Sequence, residues 1–301
     1  MPISVLYLLV VLIWGTTWIA IPLQLGEVAE ELSVAYRFAL ASISLFVFAH
    51  FSKRPLAIPR KQYPMVMLMG VLLFSVNYLF VYYGAGYLTS GLVAVLFSLI
   101  VLLNALFERL FFGTPFSARL QIASLVGIIG ISLVFWPEVA NFGFGDQTMI
   151  GVAWILAAIV IAALANMTAI ITTSSGLSLM VLNAHAMGWG ALTSFATAAV
   201  LGRPFNFLLT PDYLWSLFYL AIFGSSIAFG CYLTLLKKIG AARAAYSSVL
   251  FPIVALLMST IFEDYQWTIT ALVGVTLSLA GNWLALSKTT INSYETGKWK
   301  K

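Results

Sequence analysis

The chain has 301 residues, of which 62% are hydrophobic and 8% are charged, with a mean hydropathy of +1.01 and a net charge of +5. A soluble domain carries about 25% charged residues, so this composition excludes a single soluble core and makes the lipid bilayer the solvent for most of the surface. The positive charges lie in short segments between apolar runs and form no basic stripe, which excludes nucleic acid as a partner. Cys231 is the only cysteine, which excludes a disulfide or a thiolate metal centre within the chain.

Ten apolar runs are long enough to cross a bilayer, since a span needs roughly 20 mostly apolar residues. The first run has no Lys or Arg before it and no clear cleavage site after it, so we predict a retained span and not a signal peptide. The sequence therefore predicts an all-α polytopic membrane protein with ten transmembrane helices. The predicted spans are 3–22, 33–51, 64–83, 88–107, 119–136, 149–172, 181–201, 212–236, 243–262 and 266–286.

The loop charges predict how these spans are oriented. With the N-terminus in the cytoplasm, 13 of the 15 Lys and Arg residues fall in cytoplasmic loops and the tail. The outer loops hold one, Arg203, and Arg37 lies within a span. Because positive residues stay on the cytoplasmic side, we expect a multi-pass protein of the plasma (inner) membrane with both termini in the cytoplasm.

Short sequence matches recur in the same order in the two halves of the chain. Tyr78 matches Tyr232 at an offset of 154, and Gly127 matches Gly274 at an offset of 147. These matches pair span 3 with 8, span 4 with 9 and span 5 with 10, so the repeating unit has five spans. An odd number makes the second copy enter the membrane inverted, an arrangement typical of carriers with a midplane site. The remaining matches are Gly86 with Gly240 and Val95-Leu96-Phe97 with Val249-Leu250-Phe251.

The sequence thus predicts two inverted five-helix repeats, at 1–147 and 148–287, and a cytoplasmic tail at 288–301. Four short motifs accompany this repeat: Trp14-Gly15, Arg37 with Ala41, Glu108-Arg109-Leu110, and Pro252 followed by Glu263. Together they resemble the EamA-type transporters of the drug/metabolite transporter superfamily, over nearly the whole chain. That resemblance implies a ten-helix inner-membrane carrier, and many members export amino acids and other small metabolites. In the first repeat Ser98 stands where the second has Pro252, so the two halves are expected to bend differently.

The spans contain almost no charged residues, and this absence also restricts the possible functions. Every Asp and Glu falls in a loop or at a span end, and no Lys lies within a span. A buried carboxylate that exchanges protons for a cationic drug, or a pair of catalytic acids, would need such residues. A di-anionic solute would need at least two cations, and only Arg37 is available. We therefore expect a small neutral or zwitterionic substrate and predict no catalytic residue, no metal and no cofactor.

Three polar residues within spans are candidates for substrate binding. Arg37 is predicted about one turn inside the outer end of span 2, where it would meet a substrate carboxylate at the cavity mouth. The alternative is a structural arginine that reaches the membrane interface or is balanced by Glu27, Glu30 or Glu31. Asn77 and Asn166 lie in the middle of spans 3 and 6, where an amide either binds solute or joins two helices.

Aromatic residues and a broken helix complete the candidate site. Trp14, Tyr78 and Tyr232 would form aromatic walls, and the alternative is ordinary core packing or an interfacial aromatic belt. In span 9, Pro252 is predicted to kink the helix and free backbone carbonyls. Ser248, a turn before it, would then lie beside the cavity, with Pro252 as a hinge.

The favoured function is a carrier, and more specifically an exporter of amino acids or similar small molecules that works by alternating access. Its expected partners are a small-molecule substrate and the lipid bilayer, with the oligomeric state open between monomer and homodimer. One alternative is a drug efflux transporter. A membrane-embedded enzyme is another, but it would need a buried nucleophile, acid–base pair or metal cluster that the sequence does not offer.

Overall fold

The structure is a computed structural model that describes residues 1–88, 93, 96–97, 99–114, 118–134, 136, 146–262 and 267–286. Val95, Ser98, Glu263 and the tail 288–301 lie outside the described residues. Across the described ranges the regular structure is helical, as a bilayer requires of segments that must satisfy their own backbone hydrogen bonds. The helices are α1 Ile3–Ala20, α2 Glu30–Phe51, α3 Tyr63–Val71, α4 Asn77–Ala85, α5 Ile100–Phe112, α6 Ala118–Val134, α7 Asp146–Thr173, α8 Leu179–Val200, α9 Pro211–Ala221, α10 Ala228–Ile239, α11 Ala241–Ala245, α12 Phe251–Phe262 and α13 Ile269–Leu286.

Several of these helices can cross a membrane. Among the described residues, five helical stretches are long and apolar enough to do so by length and composition. The stretches that include α3 and α9 continue through a π-helical segment into α4 and α10. The all-helical, polytopic architecture predicted from the sequence is therefore confirmed at this level. The five stretches are Ile3–Ala20, Glu30–Phe51, Arg60–Ala85, Gln147–Thr173 and Pro211–Ile239.

Both π-helical segments fall in the middle of a long helix. One, Leu72–Val76, joins α3 to α4, and the other, Ile222–Ile227, joins α9 to α10. A π-turn leaves carbonyls without their usual helical partners and is frequent at functional sites. In the second segment Ser225 Oγ donates to Leu220 O at 2.8 Å and Ser226 Oγ donates to Ala221 O at 3.2 Å. The two serine hydroxyls therefore donate to carbonyls that lack their usual helical hydrogen bond.

The serines of both segments also hold neighbouring helices. Ser75, in the first segment, is hydrogen-bonded to Ser194 of α8 with 2.8 Å between the hydroxyl oxygens. Ser226, in the second, is hydrogen-bonded to Ser44 of α2 at 2.9 Å. A hydroxyl pair of this kind is a common way for membrane helices to join, since lipid offers neither group a partner.

Helices α6 and α13 pack along each other closely and antiparallel. A β-carbon added to Gly130 would lie 2.7 Å from Gly274 O, and one added to Gly274 would lie 2.6 Å from Val134 N. One added to Gly281 would lie 2.9 Å from Gly127 N. These distances are too short for any real side chain, so glycine is what allows the two backbones to approach.

Long-range contacts identify which helix ends lie together. At one end, here called the Met1 end, Lys238 Nζ donates to Met1 O at 3.2 Å. At the opposite end, here called the far end, Asn206 Nδ2 donates to Glu27 O at 2.8 Å. The 3₁₀ turn Pro22–Gln24 belongs to the far end, where Gln24 Nε2 donates to Tyr213 O at 3.1 Å. Helices α1 and α8 therefore run from the Met1 end to the far end, and α2 and the α9–α10 stretch run back.

Two helices differ from their predicted bounds for a clear reason. Helix α5 runs to Phe112, past the predicted end at residue 107, because Glu108 is buried and hydrogen-bonded inside the protein. Its Oε1 accepts the backbone N–H of Ala241, at the start of α11, at 2.5 Å. The predicted span 243–262 is in fact broken into α11, a 3₁₀ turn at Tyr246–Val249, and α12.

Candidate functional site

The bundle surrounds a central cavity whose empty space, including open solvent, is about 750 Å³. Apolar and aromatic walls with a few polar groups are typical of a site for a small organic molecule. Seven of its described lining residues are aromatic, and they come from both halves of the chain. The lining residues are Trp14, Thr17, Trp18, Ile21, Arg37, Leu73, Asn77, Tyr78, Val81, Phe97, Ile100, Ala162, Asn166, Phe229, Tyr232, Ala245, Ser247, Ser248 and Phe251.

All seven residues that the sequence singled out for substrate binding lie in this lining. They come from six separate stretches of the chain, which only the packed bundle brings together. The sequence reasoning missed the apolar members, because a phenylalanine facing a cavity and one facing lipid give the same pattern along the helix. The seven are Trp14, Arg37, Asn77, Tyr78, Asn166, Tyr232 and Ser248.

Arg37 lies deeper than predicted, on the wall of the cavity. Helix α2 begins at Glu30, so Arg37 is about two turns inside the far end, and its side chain is 1% exposed. Its Nε donates to Ser225 Oγ at 2.9 Å, and its guanidinium carbon lies 4.6 Å from the centre of the Tyr78 ring. A second ring, Phe38, lies 5.3 Å away. A cation over aromatic faces is stabilised by the ring quadrupoles, more so when desolvated.

Glu31, one of the acidic residues considered as a partner of Arg37, is engaged elsewhere. Glu31 is fully buried, and its Oε1 accepts hydrogen bonds from Tyr83 Oη at 2.5 Å and from Arg203 at 3.3 Å. This ion pair raises the pKa of Arg203 through the charge of Glu31. Because Glu31 lies near a helix end, its burial could not be predicted from the sequence. The far end is thus tied together by a carboxylate that the sequence placed in a loop.

Trp14 is fixed by the second π-segment. Its indole Nε1 donates to Gly224 O at 2.8 Å. A β-carbon on Gly224 would lie 2.9 Å from Thr17 Cγ2 and 3.4 Å from Arg37 Nη2, so glycine lets α1 and α2 approach this segment. The Trp14 ring then packs 5.1 Å from that of Tyr232, centre to centre. The π-segment therefore positions both the indole and, through Ser225, the guanidinium.

An amide pair lies on another wall of the cavity. Asn166 Nδ2 of α7 donates to Asn104 Oδ1 of α5 at 3.2 Å, and both side chains are buried. Asn166 Oδ1 and Asn77 Oδ1 have no hydrogen-bond partner within the part of the chain that the structure describes. Asn104 was missed by the sequence reasoning, although a polar residue inside an apolar helix was a signal that could have found it. Unpartnered amide oxygens beside a cavity can accept hydrogen bonds from a bound molecule.

Ser248 and Pro252 lie at the break in the ninth predicted span. Ser248 Oγ donates to Ala245 O at 2.6 Å and Ser247 Oγ donates to Ala244 O at 2.8 Å. The 3₁₀ turn precedes Pro252, which falls in the first turn of α12, where proline is tolerated because that N–H needs no helical partner. The span is therefore interrupted just before the helix that contains Pro252.

Comparison with known proteins identifies the family. The sequence pattern of the EamA-like transporter family matches residues 1–136 and 149–287. The chain belongs to the EamA-like transporter family. The family assignment confirms the resemblance seen in the sequence motifs, and the protein is a multi-pass membrane transporter and not an enzyme.

Individual relatives are distant but similar over most of their length. The chain is 26% identical over 263 residues to Protein PagO of Salmonella typhimurium, covering 87% of this chain and 84% of that one. It is 26% identical over 298 residues to an uncharacterized transporter of Archaeoglobus fulgidus, covering 93% and 97%. A solved crystal structure superposes with a TM-score of 0.76 at 18% identity, over 94% of this chain and 96% of that chain. This likeness shows a shared fold.

Proposed function

We propose that this transporter is an inner-membrane exporter of small neutral or zwitterionic metabolites such as amino acids. The observation that carries the proposal is the central cavity, whose walls combine seven aromatic side chains, one arginine and two amides with free oxygens. Arg37 would bind the solute carboxylate, and the oxygens of Asn77 and Asn166 would accept hydrogen bonds from its amino group. Trp14, Tyr78 and Tyr232 would pack against its body, with Ser248 at the broken helix.

The proposed mechanism is alternating access between two inverted five-helix repeats, 1–147 and 148–287. Three features support it. A π-segment interrupts a long helix in each half, and the serine of each segment bonds to a serine of a helix from the other half. The offset of 147 found in the sequence relates Gly127 to Gly274 and Val134 to Gly281. The contact between Gly127 and Gly281 is therefore the repeat counterpart of the contact between Val134 and Gly274. Such an inverted pair can expose one midplane site to either side in turn.

The interruptions in the helices would supply the hinges. The 3₁₀ turn before Pro252 and the two π-segments are places where backbone geometry changes within a span. At the 3₁₀ turn and the second π-segment, serine hydroxyls bond carbonyls of the preceding turn, and such bonds can exchange partners at little cost as a helix bends. Pro252 itself would fix the start of α12 during that motion.

The test of function is export. Cells that express the protein should release one or a few zwitterionic metabolites into the medium above the level of cells without it, measured by metabolite profiling. The purified protein in liposomes should then exchange the same metabolite in a counterflow assay. Release of unrelated drugs with no change in amino acids would instead identify a drug efflux transporter.

The proposed topology of ten spans has its own test. A reporter fused after Lys301 should lie in the cytoplasm, and one inserted near Asp146 should lie outside. The reason is that 13 of the 15 positive residues then face the cytoplasm. The measurement is the activity of paired reporters that work on only one side of the membrane. Two reporters on the same side would rule out the count of ten.

A further inference from the structure

The charge of Arg37 is not balanced inside the cavity. The side chain is 1% exposed, and its Nη1 has no hydrogen-bond partner in the described part of the chain. Its Nε is bonded to a neutral serine hydroxyl, and its flat face lies on the Tyr78 ring. A buried guanidinium with an unused N–H donor is costly to keep unless a bound anion completes it.

The carboxylates of the described chain do not supply that anion. No Asp or Glu is found among the described residues that line the cavity. Glu31 is bonded to Tyr83 and Arg203 at the far end, and Glu108 accepts the N–H of Ala241 at the Met1 end. Within the described lining, a balancing charge would therefore have to come from the solute.

The described lining offers a positive charge no carboxylate. An ammonium would meet neutral groups there, among them the amide oxygens of Asn77 and Asn166 and the aromatic rings. The Tyr78 ring already carries Arg37 on its face. An amino acid would bring one negative and one positive charge, and the cavity with its solute would keep a net positive charge. A solute with a single carboxylate and no ammonium would leave the filled cavity neutral, which low-dielectric surroundings favour.

We propose that the cavity also takes singly charged organic carboxylates that lack an ammonium group, such as deaminated or N-acylated amino acids, and binds them more tightly than the amino acid of the same shape. This inference rests on the proposed carrier function of the same site. The aromatic walls also favour a solute whose apolar part is a ring or a branched hydrocarbon. A second carboxylate would find no second cation in the described lining and would be disfavoured.

A matched set of four probes tests the charge preference on the unaltered protein. The probes are 3-phenylpropionate, phenylalanine, phenethylamine and phenylsuccinate, which share one ring and differ in charge. Titration calorimetry on the purified protein in lipid nanodiscs should give 3-phenylpropionate the lowest Kd, about tenfold below that of phenylalanine. Phenethylamine and phenylsuccinate should bind more weakly than either. Equal affinity for 3-phenylpropionate and phenylalanine, or tighter binding of phenylalanine, overturns the inference.

Substitutions assign the preference to Arg37. Arg37→Gln should remove the tenfold preference for the anion, and Arg37→Lys should retain most of it because the charge remains. The matched control is Arg109→Gln, an exposed arginine at the end of α5 outside the cavity lining, which should leave all four affinities unchanged. A preference that survives in Arg37→Gln would place the anion site elsewhere and overturn the assignment.

Counterflow in liposomes separates this inference from the proposed function. If phenylalanine exchanges and 3-phenylpropionate does not, the carrier stands and the inference fails. If neither an amino acid nor a carboxylate exchanges, the proposed function is contradicted, and the inference that rests on it fails with it.

Discussion

Replacing Asn166 by leucine is expected to reduce transport by roughly 10- to 100-fold while leaving most of the protein folded in the membrane. Leucine has the same branching at Cγ but offers no hydrogen-bonding atom to a polar solute. Within the described chain the fold loses the bond from Asn166 Nδ2 to Asn104 Oδ1, which is 3.2 Å long, and the contact of the amide with the Tyr232 hydroxyl. A bond of this kind between membrane helices is worth about 0.6 kcal/mol on average and at most about 1.7. The measurements are initial transport rate per folded molecule and thermal unfolding in lipid.

Asn183 provides a matched control for this substitution. It is also a fully buried asparagine, in α8, and neither of its side-chain polar atoms has a partner within the described chain. It is not among the described lining residues of the cavity. Asn183→Leu should therefore preserve transport and stabilise the protein slightly, since it removes two unsatisfied buried groups. Loss of folded protein in Asn166→Leu, with normal transport per remaining molecule, would show that Asn166 only joins helices.

Replacing Gly190 by alanine is expected to destabilise the protein by about 1–3 kcal/mol, with a matching loss of folded protein. The added β-carbon would lie 2.6 Å from Phe74 Cβ and 2.8 Å from Phe74 O. Because one of these atoms is backbone, the clash cannot be relieved by turning a side chain, and α8 must move away from the first π-segment. The measurement is the unfolding midpoint of the purified protein at a fixed lipid composition.

Gly230 is the control for the effect of alanine on the helix itself. It lies in α10, and an added β-carbon would meet no atom within 4 Å. Gly230→Ala should therefore be neutral or stabilise by up to about 1 kcal/mol, because alanine is the better helix former. Equal losses in the two variants would mean that the close approach at Gly190 is not what holds α8 in place.

Much of the candidate site can be predicted from the sequence, because polar residues are rare within apolar membrane spans. A polar side chain inside a 20-residue apolar run is costly unless it faces the protein interior. For that reason the sequence alone singles out Arg37, Asn77 and Asn166, and the packed bundle brings all three to one cavity. Asn104 meets the same criterion, although it was not selected.

The position of Arg37 depends on a helix end that the sequence does not specify. The charges of Glu30 and Glu31 are typical of loop residues, which placed the predicted start of the helix at residue 33. In the structure the helix begins at Glu30, and Glu31 is buried with its Oε1 bonded to Tyr83 and Arg203. Those partners come from residues 52 and 172 positions away. Contacts over such distances are invisible to a reading of local hydropathy.

By itself the sequence determined that the chain is an all-helical membrane protein and which residue types its spans contain, since apolar length and loop charge are local properties. The tertiary structure alone decided which side chains share a cavity, where helices depart into π and 3₁₀ turns, and which charges are paired. The physical reason is that a helix looks equally apolar toward lipid and toward a neighbouring helix. Whether Phe229 and Phe251 face a solute is settled only when the other helices are packed around them.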